Sequence, residues 1–138
     1  MNFEYTVDAS AEEPIMLINK HIGFDAEDGQ GISGAKFQAE LLALDAMGKS
    51  RIKVYINSVG GSVMDGYSIY SAILESKSKV DTYCMGIAAS ISAVIFQAGR
   101  KRYMADYGAL MIHLPFIPNE KKRDEVLDIM SSGITTMI

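Results

Sequence analysis

Short strand-like segments alternate with single helix-like segments three times along the chain, and this order constrains the fold more than any other feature. The strand-like segments are apolar at every second position or over a short run, whereas the helix-like segments place apolar residues three and four apart. A β-α-β-α-β-α order predicts right-handed crossovers and a mostly parallel sheet flanked by helices, and hence an α/β fold. The strand-like segments are residues 14–22, 51–57 and 80–85, and the helix-like segments are residues 33–48, 63–74 and 90–98.

The remainder of the chain predicts a loose N-terminus and further short elements at the C-terminal end. Residues 1–13 are interpreted as a flexible arm, which leaves one domain over residues 14–138. Residues 101–104 and 109–113 have the pattern of two more strands. A last helix, capped by Asn119, is expected to run to the end of the sequence without a stop signal, as in a chain cut inside a longer helix.

Charge and hydropathy argue against two classes of partner. The 138 residues carry a formal net charge of −4, and the basic run at 121–123 is flanked by acidic residues, which favours a solvated helix face over a nucleic-acid site. The acidic N-terminus lacks the order of a signal peptide. The uncharged stretch 82–99 contains glycines and serines and fits a buried strand, turn and helix better than a membrane span. We therefore expect no nucleic-acid or membrane partner and a cytoplasmic location.

Cysteine and histidine are scarce. Cys84 is the single cysteine, so an intramolecular disulfide is impossible, and a reducing compartment fits. Its apolar surroundings in the sequence predict a core position. Two histidines and one cysteine spread along the chain give no metal signature, and we expect neither a metal nor a cofactor.

Two glycine-bearing turns come after strand-like segments, and each precedes a helix-like one. In a parallel sheet the carboxyl ends of the strands share one edge, so the turns SVGGS and GIAAS could lie close together. Ser90, in the second turn, stands where a hydroxyl meets the unpaired N–H groups of a helix start. A nucleophile is one interpretation, and a serine that only caps the helix is the other.

Two further features could belong to the same site. His113 comes after an apolar strand-like run, and a neutral imidazole there could act as a general base or could be a strand-end histidine bound to the backbone. Gly60 and Gly61 allow unusual backbone angles and bare N–H groups, which suits an oxyanion hole as well as a simple turn. Ser62 competes as a nucleophile but is expected to cap the next helix.

Three motifs in this order, INSVGGSV, GIAASISA and MIHLP, together resemble the Clp protease proteolytic subunit family over residues 14–138. That family has Asn-Ser-Pro-Gly-Gly-Ser-Val, then Gly-x-Ala-Ala-Ser with its nucleophile, then Met-Ile-His-x-Pro with its base. The resemblance implies that Ser90 is the nucleophile, that His113 is the base, and that the N–H groups of Gly61 and Ile91 form the oxyanion hole. Peptide substrate is expected along the remaining predicted site residues, which are Gly60, Ser62, Val63 and Leu114.

The resemblance also implies a fold and an assembly. The family fold is a crotonase-like spiral of βαβ units, its subunits form heptameric rings that stack, and its long handle helix matches the last helix predicted here. Possible partners are an AAA+ unfoldase or, because the loop at 24–34 looks like the phage and prophage head maturation branch, a phage capsid or scaffold protein.

The sequence departs from the family pattern in three places. Val59 replaces the usual proline, and Ile91-Ser92 replaces the usual Met-Gly. The family's third catalytic member, an aspartate, is expected beyond Ile138. Asp106 and Asp124 do not match its motif position.

The sequence leaves three functional hypotheses. The preferred one is a serine endopeptidase of the Ser-His-Asp type that acts on peptides or unfolded proteins. A crotonase-type acyl-CoA enzyme would also use paired N–H groups but no Ser–His pair. A catalytically weak assembly or scaffold subunit is the third.

Overall fold

The computed structural model describes residues 1–23, 30–112, 124–125, 128–129 and 131–137. Seven strands and three complete helices lie within these ranges, and residues 124–125, 128–129 and 131 are also helical. The strands are β1 (Thr6–Val7), β2 (Ile15–Ile18), β3 (Arg51–Ser58), β4 (Lys79–Ala89), β5 (Arg102–Ala105), β6 (Ala109–Met111) and β7 (Ile134–Met137). The helices are α1 (Gly34–Ala46), α2 (Val63–Glu75) and α3 (Ile91–Gln97).

The seven strands form one sheet of order β1-β2-β3-β4-β5-β7, with β6 pairing to β4 beside this path. Only the β1–β2 pair is antiparallel among the described strands. Strand β4 is central and longer than its neighbours, because its first half pairs with β5 and its second half pairs with β6. The predicted α/β class with a mostly parallel sheet is confirmed.

The core lies between the helices and one face of the sheet. Alternate residues of β2 and β3 are fully buried and pack against apolar residues of the helices, each contributing about 1.5–3 kcal/mol of transfer free energy. On the other face, half-buried tyrosines from three adjacent strands stand in register, with ring centroids 5.0 and 4.7 Å apart. The largest buried side chains are Met16, Ile18, Ile22, Ile32, Phe37, Leu41, Leu44, Ile52, Ile56, Ile69, Ile95 and Phe96, and the tyrosines are Tyr55, Tyr83 and Tyr103.

The predicted start of α1 is confirmed. Ser33 caps α1 by accepting a hydrogen bond from the Lys36 N–H at 3.2 Å, as predicted. Strand β4 runs four residues beyond the predicted 80–85, so Gly86–Ala89 belong to the strand rather than to a turn. Asn119, the predicted cap of the last helix, lies outside the described residues.

The last helix does not run to Ile138 as predicted. Helical residues up to Ser131 are succeeded by a turn at Ser132 and Gly133, and Ile134–Met137 then pair with β5 as a parallel strand. Gly133 has a φ of +74°, which ends a helix, and the isoleucine and threonines after it favour a strand.

The N-terminal segment is not a loose arm in residues 4–7. Strand β1 pairs with β2, and Tyr5 is 5% exposed. Glu40 of α1, which is 1% exposed, accepts hydrogen bonds from the N–H groups of Glu4 and Tyr5 and from the Thr6 hydroxyl at 2.9–3.0 Å. A buried carboxylate with these donors ties the segment to the domain.

The longest of the described helices has 13 residues, and none of the described helices is long and apolar enough to span a membrane.

Glu40→Ala should destabilise the protein by about 1–3 kcal/mol, because the N–H groups of Glu4 and Tyr5 and the Thr6 hydroxyl lose their buried acceptor. Urea unfolding measures this change. Glu75→Ala, at the exposed end of α2, is the matched control and should leave the midpoint unchanged. Equal midpoints for the two variants would contradict the assigned role of Glu40.

Candidate active site

A bulge in β4 brings the end of this strand to the site. The β3–β4 register is regular up to the pair Ile56–Cys84, but the next pair is Ser58–Ala88, so β4 uses four residues where β3 uses two. The side chain of Asn57 fills the irregularity, since its Oδ1 accepts a hydrogen bond from the Ile87 N–H at 3.1 Å. Bulges of this kind bend a strand and change the direction in which its last residues point.

Ser90 comes directly after β4 and has a strained conformation. Its φ is +56° and its ψ is −128°, a combination that costs a non-glycine residue about 1–3 kcal/mol. The backbone is held on both sides, because the Ser90 N–H donates to Met111 O at 2.9 Å and Ser90 O accepts from the Ala93 N–H at 3.0 Å. A nucleophilic serine on a sharp strand-to-helix turn has the same kind of strain.

The Ser90 hydroxyl makes no capping hydrogen bond to α3, although the residue occupies the N-cap position. The alternative in which Ser90 serves only as a helix cap is therefore not supported. Ser90 as a residue is partly exposed.

The turn after β3 lies directly against Ser90. A Cβ added to Gly60 would lie 2.7 Å from Ala89 O, 2.9 Å from Ser90 Cβ and 3.2 Å from the nitrogen of Ile91. The φ of Gly60 is +94°, a second reason why only glycine fits. Two backbone hydrogen bonds to Ile22 fix this turn. Gly60 O accepts from the Ile22 N–H, and Ile22 O accepts from the Ser62 N–H, both at 2.9 Å.

Two backbone N–H groups in these turns have no hydrogen-bond acceptor among the described residues. They belong to Gly61, which follows Gly60, and to Ile91, which follows Ser90. The N–H of Ile91 has no partner within α3 because it belongs to the first helical residue. Ile91 itself is buried, and its side chain lies where a Cβ on Gly66 of α2 would be. The helix start is thus fixed by direct contact between α2 and α3.

A largely apolar pocket of about 180 Å³ opens beside the serine. Val63 and Tyr67 contribute to it from one face of α2, where they are about half exposed. Its lining residues are Val63, Tyr67, Ser90, Ile91, Val94 and Ile112. Such a pocket can take an apolar side chain next to a reacting group at Ser90.

Most of the residues singled out in the sequence meet at this edge of the sheet. Ser62 caps α2, since its hydroxyl accepts from the Asp65 N–H at 3.3 Å, and this matches the capping interpretation. His113 and Leu114 lie outside the described residues. The residues that come together are Gly60, Gly61, Ser62, Val63, Ser90 and Ile91.

Cys84 is buried, as predicted. Burial raises the pKa of its thiol, although weak contacts with the carbonyls of Gly86 and Ala109 oppose the shift. A neutral buried thiol is a poor nucleophile. The described residues contain no group of three His, Cys, Asp or Glu side chains that could bind a metal ion.

Sequence reasoning missed three residues of the site. Tyr67 could have been found, because it stands four residues after Val63 on the same helix face. The bonds that tie Asn57 to Ile87 and Ser92 to Ser58 gave no local signal, since they span 30 and 34 residues of sequence.

Gly60→Ala should cost about 3 kcal/mol of stability, because strain at a positive φ adds to the overlap with Ala89 and Ser90. Gly48→Ala is the matched control, with a φ of +79° and no heavy atom within 4 Å of the added Cβ, and should cost only about 1 kcal/mol. Chemical denaturation of both variants tests the difference. A loss no larger at Gly60 than at Gly48 would contradict the close contact between the two turns.

Comparison with known proteins finds one family model and several curated relatives that match this chain. Residues 13–136 match the family model described as Clp protease. The chain is 36% identical over 119 residues to ATP-dependent Clp protease proteolytic subunit 3 of Synechococcus sp. (strain CC9605), covering 84% of this chain and 58% of that protein. The chloroplastic subunit 3 of Arabidopsis thaliana is 37% identical over 103 residues, which is 72% of this chain and 33% of that protein.

A solved structure shares the fold. A point mutant of ClpP1 from Listeria monocytogenes superposes with a TM-score of 0.63 at 26% identity, covering 84% of this chain and 65% of that one. The chain spans about half the length of these curated relatives. The sequence motifs, the fold and these similarities agree, and the chain belongs to the Clp protease family.

Proposed function

We propose that the chain carries the nucleophile, base and oxyanion hole of a serine endopeptidase. The observation that carries the proposal is the strained turn at Ser90. Its hydroxyl makes no capping hydrogen bond to α3, and the N–H groups of Gly61 and Ile91 in the adjoining turns have no acceptor among the described residues. Donors aimed at a developing oxyanion are among the largest contributors to acyl-transfer catalysis.

The proposed reaction has two halves. The Ser90 hydroxyl attacks the peptide carbonyl carbon while His113 takes its proton, and the N–H groups of Gly61 and Ile91 bind the resulting oxyanion. His113 then gives the proton to the leaving amine, the C–N bond breaks, and an acyl-enzyme remains. Water attacks the ester with His113 again as base, and the acid product leaves with Ser90 restored.

The chain connectivity supports the pairing of His113 with Ser90. Met111, two residues before His113, accepts a hydrogen bond from the Ser90 N–H at 2.9 Å. Strand β6 therefore ends beside the nucleophile. An orienting aspartate downstream of Ile138 is proposed from the family resemblance, so functional tests require the full-length chain.

Substrates and partners are proposed from the family. The relatives are named as ATP-dependent proteolytic subunits, which supports a polypeptide substrate, an assembly of subunits and a dependence on ATP. An unfolded substrate, a ring and an AAA+ unfoldase are proposed from the family resemblance. The phage branch, a capsid or scaffold partner and a cytoplasmic location stay predictions. The comparisons give no support to the acyl-CoA alternative.

A fluorophosphonate should label the full-length protein at Ser90, because this probe reacts with activated serines. Ser90→Ala should abolish labelling and peptidase turnover, and His113→Gln should lower the turnover about 10⁴-fold or more. Mass spectrometry of the labelled peptide and a fluorogenic peptide assay measure these effects.

Ser62→Ala is the matched control, since Ser62 is in the adjacent turn and caps α2. It should retain labelling. A stable ring that neither reacts with the probe nor cleaves an unstructured substrate would overturn the endopeptidase and favour the scaffold hypothesis.

The pocket beside Ser90 predicts preference for an apolar residue on the acyl side of the cleaved bond. Val63→Lys should lower kcat/KM for a leucine peptide about tenfold or more, because it places a charge in an apolar pocket. Met64→Lys adds the same charge one residue away on a side chain that is 82% exposed and outside the pocket. Equal kcat/KM values for the two variants would show that this pocket does not bind the substrate side chain.

A further inference from the structure

The hydroxyl of Ser92 joins the two strand ends that form the candidate site. Ser92 is the second residue of α3 and is fully buried. Its Oγ lies 2.8 Å from Ser58 O and 2.6 Å from Ala89 O. A hydroxyl has one proton to donate, so the two carbonyls share it.

These two carbonyls belong to the ends of adjacent strands. Ser58 ends β3 and precedes the Gly60–Gly61 turn, whereas Ala89 ends β4 and directly precedes Ser90. The link continues through the Ser58 hydroxyl, which donates to Lys20 O at 2.9 Å and accepts from the Gly60 N–H at 3.1 Å. Ser58 and Ser92 together therefore connect Lys20 O and the Gly60 N–H to the first turn of α3.

We propose that Ser92 is a positioning residue that fixes the spacing between the N–H of Gly61 and the N–H of Ile91. The inference rests on the proposed function, because the spacing matters only if both groups bind one oxyanion. Donors must lie about 2.7–3.1 Å from that oxygen, and small displacements at a reacting centre are costly. Since Ser92 is inaccessible to solvent, no bulk water replaces its hydroxyl when it is removed.

Ser92→Ala in the full-length protein should lower kcat about tenfold and leave KM within about twofold, since the loss falls on the transition state. The affinity for a peptide boronic acid, which forms a tetrahedral adduct with the serine, should fall about tenfold in parallel. Hydrogen exchange of the backbone amides in segments 58–62 and 89–93 should become faster. These amides include the bonded N–H groups of Gly60 and Ser90.

Two further variants isolate the effect. Ser68→Ala removes a hydroxyl that donates to Met64 O at 3.3 Å on the exposed side of α2, and it should change none of these readouts. Ser92→Cys keeps a donor at the same position, although a weaker and larger one, and should give intermediate values. It also decides the question if Ser92→Ala does not fold.

Unchanged kcat and unchanged boronic acid affinity in Ser92→Ala would overturn the inference, as would a lowered melting temperature with normal kcat below it. If the wild-type protein neither reacts with the probe nor turns over, the proposed function fails. The exchange comparison then decides whether Ser92 holds the two turns, and unchanged exchange would reject that role as well.

Discussion

The parallel pairing of β3 with β4, including its bulge, is the constraint on which the rest of the structure depends. Both strands leave the sheet at the same edge, but the bulge gives β4 two additional residues. Asn57 supplies the acceptor that the interrupted ladder lacks at Ile87. Without the bulge, the two strand ends would be in register, and Ser90 would not reach the side of Gly60.

Several weak restraints hold a costly conformation at Ser90. Its positive φ is unfavourable by itself, so the surroundings must determine it. Four interactions restrain this turn. They are the hydrogen bonds to Met111 and from Ala93, the contact with Gly60, and the packing of Ile91 on Gly66. A rigid turn keeps its hydroxyl out of the helix-capping geometry that an unstrained serine would adopt.

The order of elements, the cap at Ser33 and the cap at Ser62 could be predicted because they depend on neighbours in sequence. The family motifs also led to Ser90 and to the glycines beside it. Strand β7 could not be predicted, because its pairing with β5 is not local. The hydrogen bonds between Glu40 and Tyr5 and between Ser92 and Ser58 each span about 35 residues, and no periodicity reveals such partners.

The separation in sequence between the parts of the site has a consequence for folding. Gly60 contacts Ser90, which is 30 positions later in the sequence. This contact exists only after β3 has paired with β4, and helix α2 lies between these strands in the sequence. Such non-local closure is slow compared with helix formation, because chain entropy is lost before the contacts form. A nascent or partly folded chain therefore lacks the strained turn at Ser90. The proposed capacity to attack a peptide bond would then appear only with the complete sheet, when the chain itself is no longer unfolded.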